Sequence, residues 1–314
     1  MRRVALIVGS TGQDGILLSA LLIQNKYRVI GISSTRCSDS DGAVLPAVNI
    51  SDAAQVRGLI QAYKPTEIYY LAAFHQSSEQ RDKMPRNVLW PMSFAINVEG
   101  YYNCLEAALE ITPEARIFYA SSSLIFTGDD SRRLLEGSRL CPSGIYGITK
   151  TTGFLLGVEY RSKHKLFVCN GILFNHESHL RAPGFLSRRV IEGVINIARG
   201  QSGKLHLGNI HQVVDWSHAV DFVSGFTMCL QTECANDYVF ASGKGHSVQD
   251  FVQLAFEHVG LQWDKHIEVD SSRVPHLTPA RIGDSGRLRA LGWKPRSKFP
   301  DMIREIMGHF VSRQ

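Results

Sequence analysis

The chain has 314 residues, 44% of them hydrophobic and 20% charged, with a formal net charge of +5. That length can bury a large core and suits two lobes, and the composition is that of a folded globular chain rather than a disordered or fibrous one. No Lys/Arg block is dense enough for a nucleic-acid tract, and no apolar run approaches the roughly 18 residues of a membrane span, so neither nucleic acid nor membrane is expected as a partner.

Residues 2–9, RRVALIVG, make a continuous apolar run closed by Gly, the pattern of a strand buried on both faces. That run is too short for a secretory h-region. GILLSALLIQNKY then has helical periodicity, RVIGISS is a second strand, and AAQVRGLIQAYKP is a helix stopped by Pro65. EIYYLAA is a third strand, SFAINVEGYYNCLEAALEI a long helix, and ARIFYASSS a fourth strand. YGITKTTGFLLGVEYRSKH is a helix and LFVCNGILFN a fifth strand. This alternation predicts an α/β fold with a Rossmann-type, doubly wound parallel sheet.

Beyond Asn175 the alternation weakens. HESHLRAPGFLSRRVIEGVINIARGQ predicts one helix, KLHLGN a short strand, and DWSHAVDFVSGFTMCLQ another helix. DYVFASG reads as a strand returning to the main sheet, and SVQDFVQLAFEHVG and DMIREIMGHFVSRQ as helices. The expected division is a cofactor-binding domain, residues 1–174 plus 212–243, and a smaller, mostly C-terminal α/β substrate lobe, residues 175–211 plus 244–314. The six cysteines form no CxxC pair and no His/Cys ligand spacing, which points to reduced thiols, no metal site and a cytoplasmic protein.

Between the first strand and first helix lies VGSTGQDGILL, with Gly9, Gly12 and Gly15 spaced GxxGxxG. The chain must turn tightly there, approach a pyrophosphate with its backbone and pack helix on strand; Gly permits all three. The helix N-terminus that follows, at Gln13 and Asp14, offers free N–H groups to the anion. An acidic residue at the end of the second strand would hold a ribose 2′-OH. Here the residues are Ser33, Ser34, Thr35 and Arg36, hydroxyls and a guanidinium that suit a 2′-phosphate, so NADP is expected, with NAD as the alternative.

Tyr146 and Lys150 stand one helical turn apart, downstream of the serine cluster that ends the fourth strand. A phenol near its ordinary pKa of about 10 is a poor base at neutral pH; a neighbouring ammonium favours its phenolate and can also hold a ribose. A serine in that cluster would hydrogen-bond the substrate oxygen as hydride moves.

The pieces GSTGQDG, YGITK, NGILFNHES, LGN…DWSHAVDF and LGWKP span nearly the whole chain. With them the chain resembles an extended short-chain dehydrogenase/reductase of the GDP-mannose 4,6-dehydratase family. The resemblance implies catalysis by Ser122, Tyr146 and Lys150. It places Asn49 and Ile50 near the adenine, and the small residues after Leu71, Ala72 and Ala73, beside the cofactor. It has Asn97 packing beneath the active site. It sets Ser122, Ser123, Asn175 and Glu177 toward a nucleotide-sugar substrate, and it implies a homodimer or homotetramer built on helices near 93–110 and 146–163.

Three departures matter. The family motif Ser-Thr-Ser-Glu-Leu-Tyr-Gly, laid on SSSLIFTG, puts its Glu on Leu124. In the family that Glu takes the C5 proton and helps water leave C6; Leu has no ionisable group. Glu79 or Glu177 are the substitutes to consider. The family's Arg before Asp-Trp falls on Val214, and its Arg-Pro-x-Glu on Val274 to Leu277, with Arg273 one position away. Arg181, Arg188, Arg189 and Arg281 are candidates to compensate at the diphosphate. His75 and His176 read as satisfied structural histidines. The leading expectation is an NADP-dependent oxidoreductase on a GDP-hexose type of nucleotide sugar, a 4-keto reductase or an epimerase at C4. The alternatives are a 4,6-dehydratase with a non-standard acid/base, and a catalytically impaired NADP-binding protein.

Overall fold

The computed structural model describes residues 2–43, 45–76, 84–129, 132–270 and 278–312. Glu79, Arg273, Val274 and Leu277 lie outside the described residues.

In chain order the elements begin with β1 (Val4–Val8), α1 (Gln13–Gln24), β2 (Arg28–Ile32), β3 (Ser38–Asp39), α2 (Ala53–Tyr63) and β4 (Glu67–Tyr70). Next come α3 (Arg86–Phe94), α4 (Gly100–Ile111), β5 (Arg116–Ser122), α5 (Gly144–Lys163), β6 (Phe167–Leu173) and β7 (Asn175–Glu177). The rest are α6 (Leu186–Ala198), β8 (Leu205–Leu207), β9 (Val213–His218), α7 (Ala219–Cys229), β10 (Asp237–Phe240), β11 (Gly245–Ser247), α8 (Val248–His258), β12 (Ile267–Val269), α9 (Gly286–Ala290) and α10 (Phe299–Val311).

The main sheet has the order β10-β6-β5-β4-β1-β2-β3. All its pairings are parallel except β2 with β3. The strand order reverses between β1 and β4, so the crevice for a ligand opens at the carboxyl ends of those strands. The nearly continuous burial of β1, β4, β5 and β6 explains their unbroken apolar runs. One face of the sheet packs Phe118, Phe222, Phe226, Phe240 and Trp293 against α1 and α7; the other packs Tyr70, Tyr101 and Tyr119 against α2 and α4.

The predicted long helix is composite: α3 runs through a π-helical turn, Ala95–Glu99, into α4. Such turns widen one helical coil and turn a side chain inward. Here Asn97 is fully buried; its amide accepts from Phe74 N at 2.8 Å and donates to Phe74 O at 3.1 Å and Thr149 Oγ1 at 2.9 Å.

The segment predicted as one helix from Asp215 is a strand and then a helix. Residues 213–218 form β9, which pairs with β7 in parallel and β11 in antiparallel. His218 caps α7 by accepting from Val220 N at 3.1 Å. The apolar spacing of Trp216, Ala219, Phe222 and Val223 imitates a helix, but the first of them serves the core of the smaller lobe, with Phe251, Phe256, Phe299 and Met302. Asp221 on α7 accepts from the backbone N–H groups of Arg296 and Ser297, and its carbonyl accepts from Trp293 Nε1 at 2.8 Å. The LGWKP stretch is thereby fastened to α7. No helix among the described residues is long and apolar enough to cross a membrane.

Candidate active site

Gly9 sits at φ +96°, and a Cβ there would stand 2.7 Å from Ala72 N. A Cβ on Gly15 would collide with Gly9 O. The glycine turn is therefore pressed against the end of β4, and positions 9 and 15 leave no room for a side chain. The helix behind it starts with Gly12 at the N-cap and no side-chain cap, so its first N–H groups face the crevice as anion donors. The side chains of Gln13 and Asp14 are engaged elsewhere. Gln13 donates to His176 O at 3.0 Å and accepts from Ser178 Oγ at 2.8 Å; Asp14 pairs with His176. Only their backbones remain to meet a phosphate.

Past β2, Ser33 Oγ accepts from Arg36 N at 3.0 Å and donates to Arg36 O at 2.8 Å, closing a tight loop with the Arg36 side chain exposed. Leu71 N continues the ladder by donating to Val8 O at 2.8 Å, and Ala72 and Ala73 follow at the crevice. Ile50 packs toward Gly100, while exposed Asn49 caps its own turn through Ser51 N.

Ser122 is buried at the end of β5, where its Oγ accepts from Leu124 N at 3.2 Å, and its hydroxyl acts on the Tyr146 phenol on α5, lowering its pKa. The strand end and the helix thus bring together two of the three expected catalytic groups. Lys150 is 1% exposed; its Nζ donates to Ala120 O at 2.8 Å and lies 5.8 Å from the Tyr146 ring centre. Burial pushes its ammonium down to about 7. Burial pushes the Tyr146 phenol up to about 12; the Arg181 charge and the Ser122 hydrogen bond pull it down, and Asp14 pushes it up. The Arg181 charge thus acts on the phenol, while Lys150, 5.8 Å from the ring centre, is hydrogen-bonded to the strand carbonyl. Sequence spacing put Lys150 one turn from Tyr146, but nothing in it pointed to Arg181, which comes from the loop after β7.

Ser123 opens a 3-10 turn, Ser123–Ile125, in which Leu124 is half-buried. Among the described residues, the Asp14 and Glu177 carboxylates are both already engaged. Glu177, expected to face the substrate, is 2% exposed; it accepts from Ser187 Oγ at 2.5 Å and pairs with Arg181 Nε at 3.3 Å. Asn175 is exposed at the start of β7. Arg188 pairs with Glu192 and donates to His179 O, and Arg189 donates to His206 O, so both brace the smaller lobe. Arg281 forms an isolated bridge with Val214, the position where the arginine is missing. Its Nε donates to Phe126 O at 3.0 Å, and burial lowers its pKa.

The profile of the GDP-mannose 4,6 dehydratase family matches residues 6–306. The chain belongs to the GDP-mannose 4,6-dehydratase family. GDP-mannose 4,6 dehydratase 2 of Caenorhabditis elegans is 30% identical over 348 residues, which covers 99% of this chain and 90% of that protein. The GDP-mannose 4,6 dehydratase of Homo sapiens is 30% identical over 343 residues, covering 98% and 91%. Two solved structures share the fold. The Thermus thermophilus UDP-glucose 4-epimerase complex with NAD superposes with a TM-score of 0.82 at 19% identity, covering 99% of this chain and 100% of that one. RMD from Pseudomonas aeruginosa complexed with NADPH gives 0.82 at 18% identity, with coverage of 99% and 100%. Family membership makes this a short-chain dehydrogenase/reductase-type enzyme of nucleotide-sugar metabolism.

Proposed function

We propose that the chain is an NADP-dependent oxidoreductase that transfers hydride at C4 of a GDP-hexose, as a 4-keto reductase or a C4 epimerase. The observation that carries this is the joint state of position 124 and its surroundings. A leucine stands where the family's proton-abstracting Glu belongs, and Asp14 and Glu177 are both held by other partners.

The glycine cradle fits a dinucleotide, with the amides at the start of α1 for the pyrophosphate and Arg36 for a 2′-phosphate. Relatives in fold are complexes with NAD or with NADPH; the hydroxyl-rich loop with Arg36 favours NADP here. Bound NADP supplies or accepts the hydride. Ser122 Oγ and Tyr146 Oη hold the C4 oxygen between them. In reduction Tyr146 gives its proton to that oxygen while hydride reaches C4; in oxidation the same proton returns to Tyr146. A phenol held near 12 is protonated at neutral pH, which suits the donor direction. Lys150 would hold the nicotinamide ribose. Arg281, beside Val214 and with no carboxylate partner among the described residues, is the cation we assign to the diphosphate.

The second reading is a 4,6-dehydratase, favoured by the family match over residues 6–306. The test of the first is NADPH oxidation with a GDP-4-keto-hexose. Turnover that drops about 10²-fold or more in Tyr146→Phe, with NADPH still bound, supports it. Absence of turnover with any GDP-sugar overturns it.

A further inference from the structure

His75 does not behave as the satisfied structural histidine that its sequence context suggested. It follows Phe74, whose N–H and C=O are both clamped by the Asn97 amide, so its backbone is fixed. Its ring lies 4.2 Å from the Tyr146 ring, centre to centre, tilted by 52°. On its other side stands Phe185, at 5.7 Å, itself capped by the Arg181 guanidinium at 3.7 Å. The imidazole is therefore packed between the catalytic tyrosine and the loop that precedes α6. Its Nδ1 is buried and finds no hydrogen-bond partner among the described residues. A ring nitrogen taken out of water without a partner forfeits the hydrogen bond it had there, and buried polar atoms left so in a folded chain call for an explanation.

We propose that His75 touches the substrate, its Nδ1 taking as partner a sugar hydroxyl that neighbours the C4 oxygen held by Ser122 and Tyr146. The proposal rests on the nucleotide-sugar reading above and adds to it the residue that selects the sugar. In a hexopyranose the hydroxyls closest to the C4 oxygen are those on C3 and, one carbon further, on C6. Burial, then the charges of Arg181 and Lys150, push the imidazolium of His75 down to about 4. His75 is neutral at physiological pH. It then serves as a hydrogen-bond partner rather than as a charged acid, and it is too weak a base to replace the missing Glu. A site built to hydrogen-bond a substrate hydroxyl discriminates sharply against the analogue that lacks it.

The test uses the NADP-loaded full chain and calorimetric binding of GDP-mannose and its 3-deoxy and 6-deoxy analogues. Wild type should lose about tenfold or more in affinity for one of the two deoxy sugars. His75→Phe, which keeps the ring stack, should bind GDP-mannose more weakly by the same factor and no longer distinguish that analogue. His75→Gln, which keeps a polar group, should recover part of the loss. NADP affinity should be equal in all three proteins, which controls for folding. If His75→Phe binds GDP-mannose as wild type does, or still discriminates, the assignment of His75 is wrong while the nucleotide-sugar reading stands. If wild type binds no GDP-sugar at all, the nucleotide-sugar reading falls and the assignment falls with it.

Discussion

His176 donates from Nε2 to the Asp14 carboxylate at 2.9 Å, joining residues 162 apart in sequence. Its other nitrogen, Nδ1, faces Phe174 O at 2.7 Å. Both ring nitrogens face acceptors, an arrangement that favours the protonated ring and pins it between strand and glycine turn. Burial, the largest single influence, would lower the imidazolium pKa, but the Asp14 charge and hydrogen bond together with the bond to Phe174 O outweigh it and the net direction is up. Burial alone would raise Asp14, but His176 outweighs that and the net direction is down. The latch ties the glycine turn to β7, the strand that follows the main sheet.

The sign of its pH dependence follows. A raised histidine contributes fully below its unfolded pKa of about 6.5 and is lost as pH rises through the higher folded value; the lowered Asp14 is lost only in acid. Asp14→Asn should therefore cost about 1–3 kcal/mol in mildly acidic solution. The gap to wild type should narrow as the medium becomes alkaline. Thermal melts of both proteins at about pH 6 and about pH 9 check this, and a gap that stays constant or widens contradicts it.

Lys150 should cost stability. Its ammonium is buried and lowered from 10.5 to about 7, a penalty of the order of 5 kcal/mol in the fully charged state. A lysine held below its unfolded pKa penalises the fold fully below about pH 7, and the penalty fades as pH rises toward 10.5. Removing the side chain leaves Ala120 O without its donor, a loss of about 1–3 kcal/mol. The burial penalty is the larger, so Lys150→Met should raise the melting temperature by roughly a few degrees near neutrality while abolishing turnover. A lower melting temperature would count against this.

The alternation of β1, α1, β2, α2 and β4 was legible because the strands are buried along nearly their whole length and the helices carry a one-sided apolar period. The nearness of Ser122, Tyr146 and Lys150 was legible because strand end and helix start are fixed by the fold. What was not legible depends on residues distant in sequence. The Asp215 strand was hidden by apolar spacing that serves two different cores. Glu177 could not be known to be occupied by Ser187 and Arg181, nor His75 to lack a partner. Arg281 lies 67 positions from Val214 in sequence but beside it in space.

Arg281→Gln should separate binding from chemistry. A charge-assisted contact to a diphosphate is worth about 1.5–3 kcal/mol, so KM for the nucleotide sugar should rise roughly ten- to a hundredfold with kcat little changed. Steady-state kinetics with NADPH saturating checks it. Equal KM values would remove Arg281 from the diphosphate site.

Val88, Trp90, Phe94, Tyr102, Ile148 and Leu155 leave large apolar side chains exposed on α3, α4 and α5. A second copy packed on this face would bury them. Sedimentation should show a dimer or tetramer in the wild type, and Leu155→Glu should shift it toward monomer. A wild-type monomer at micromolar concentration would contradict the pairing.

The central claim is that the site kept hydride transfer and lost elimination, and product analysis after incubation with GDP-mannose and NADP tests it most directly. The expected result is GDP-mannose recovered or changed only at C4, with no loss of water. A GDP-4-keto-6-deoxy sugar in the products would contradict it and make the chain a working dehydratase despite Leu124.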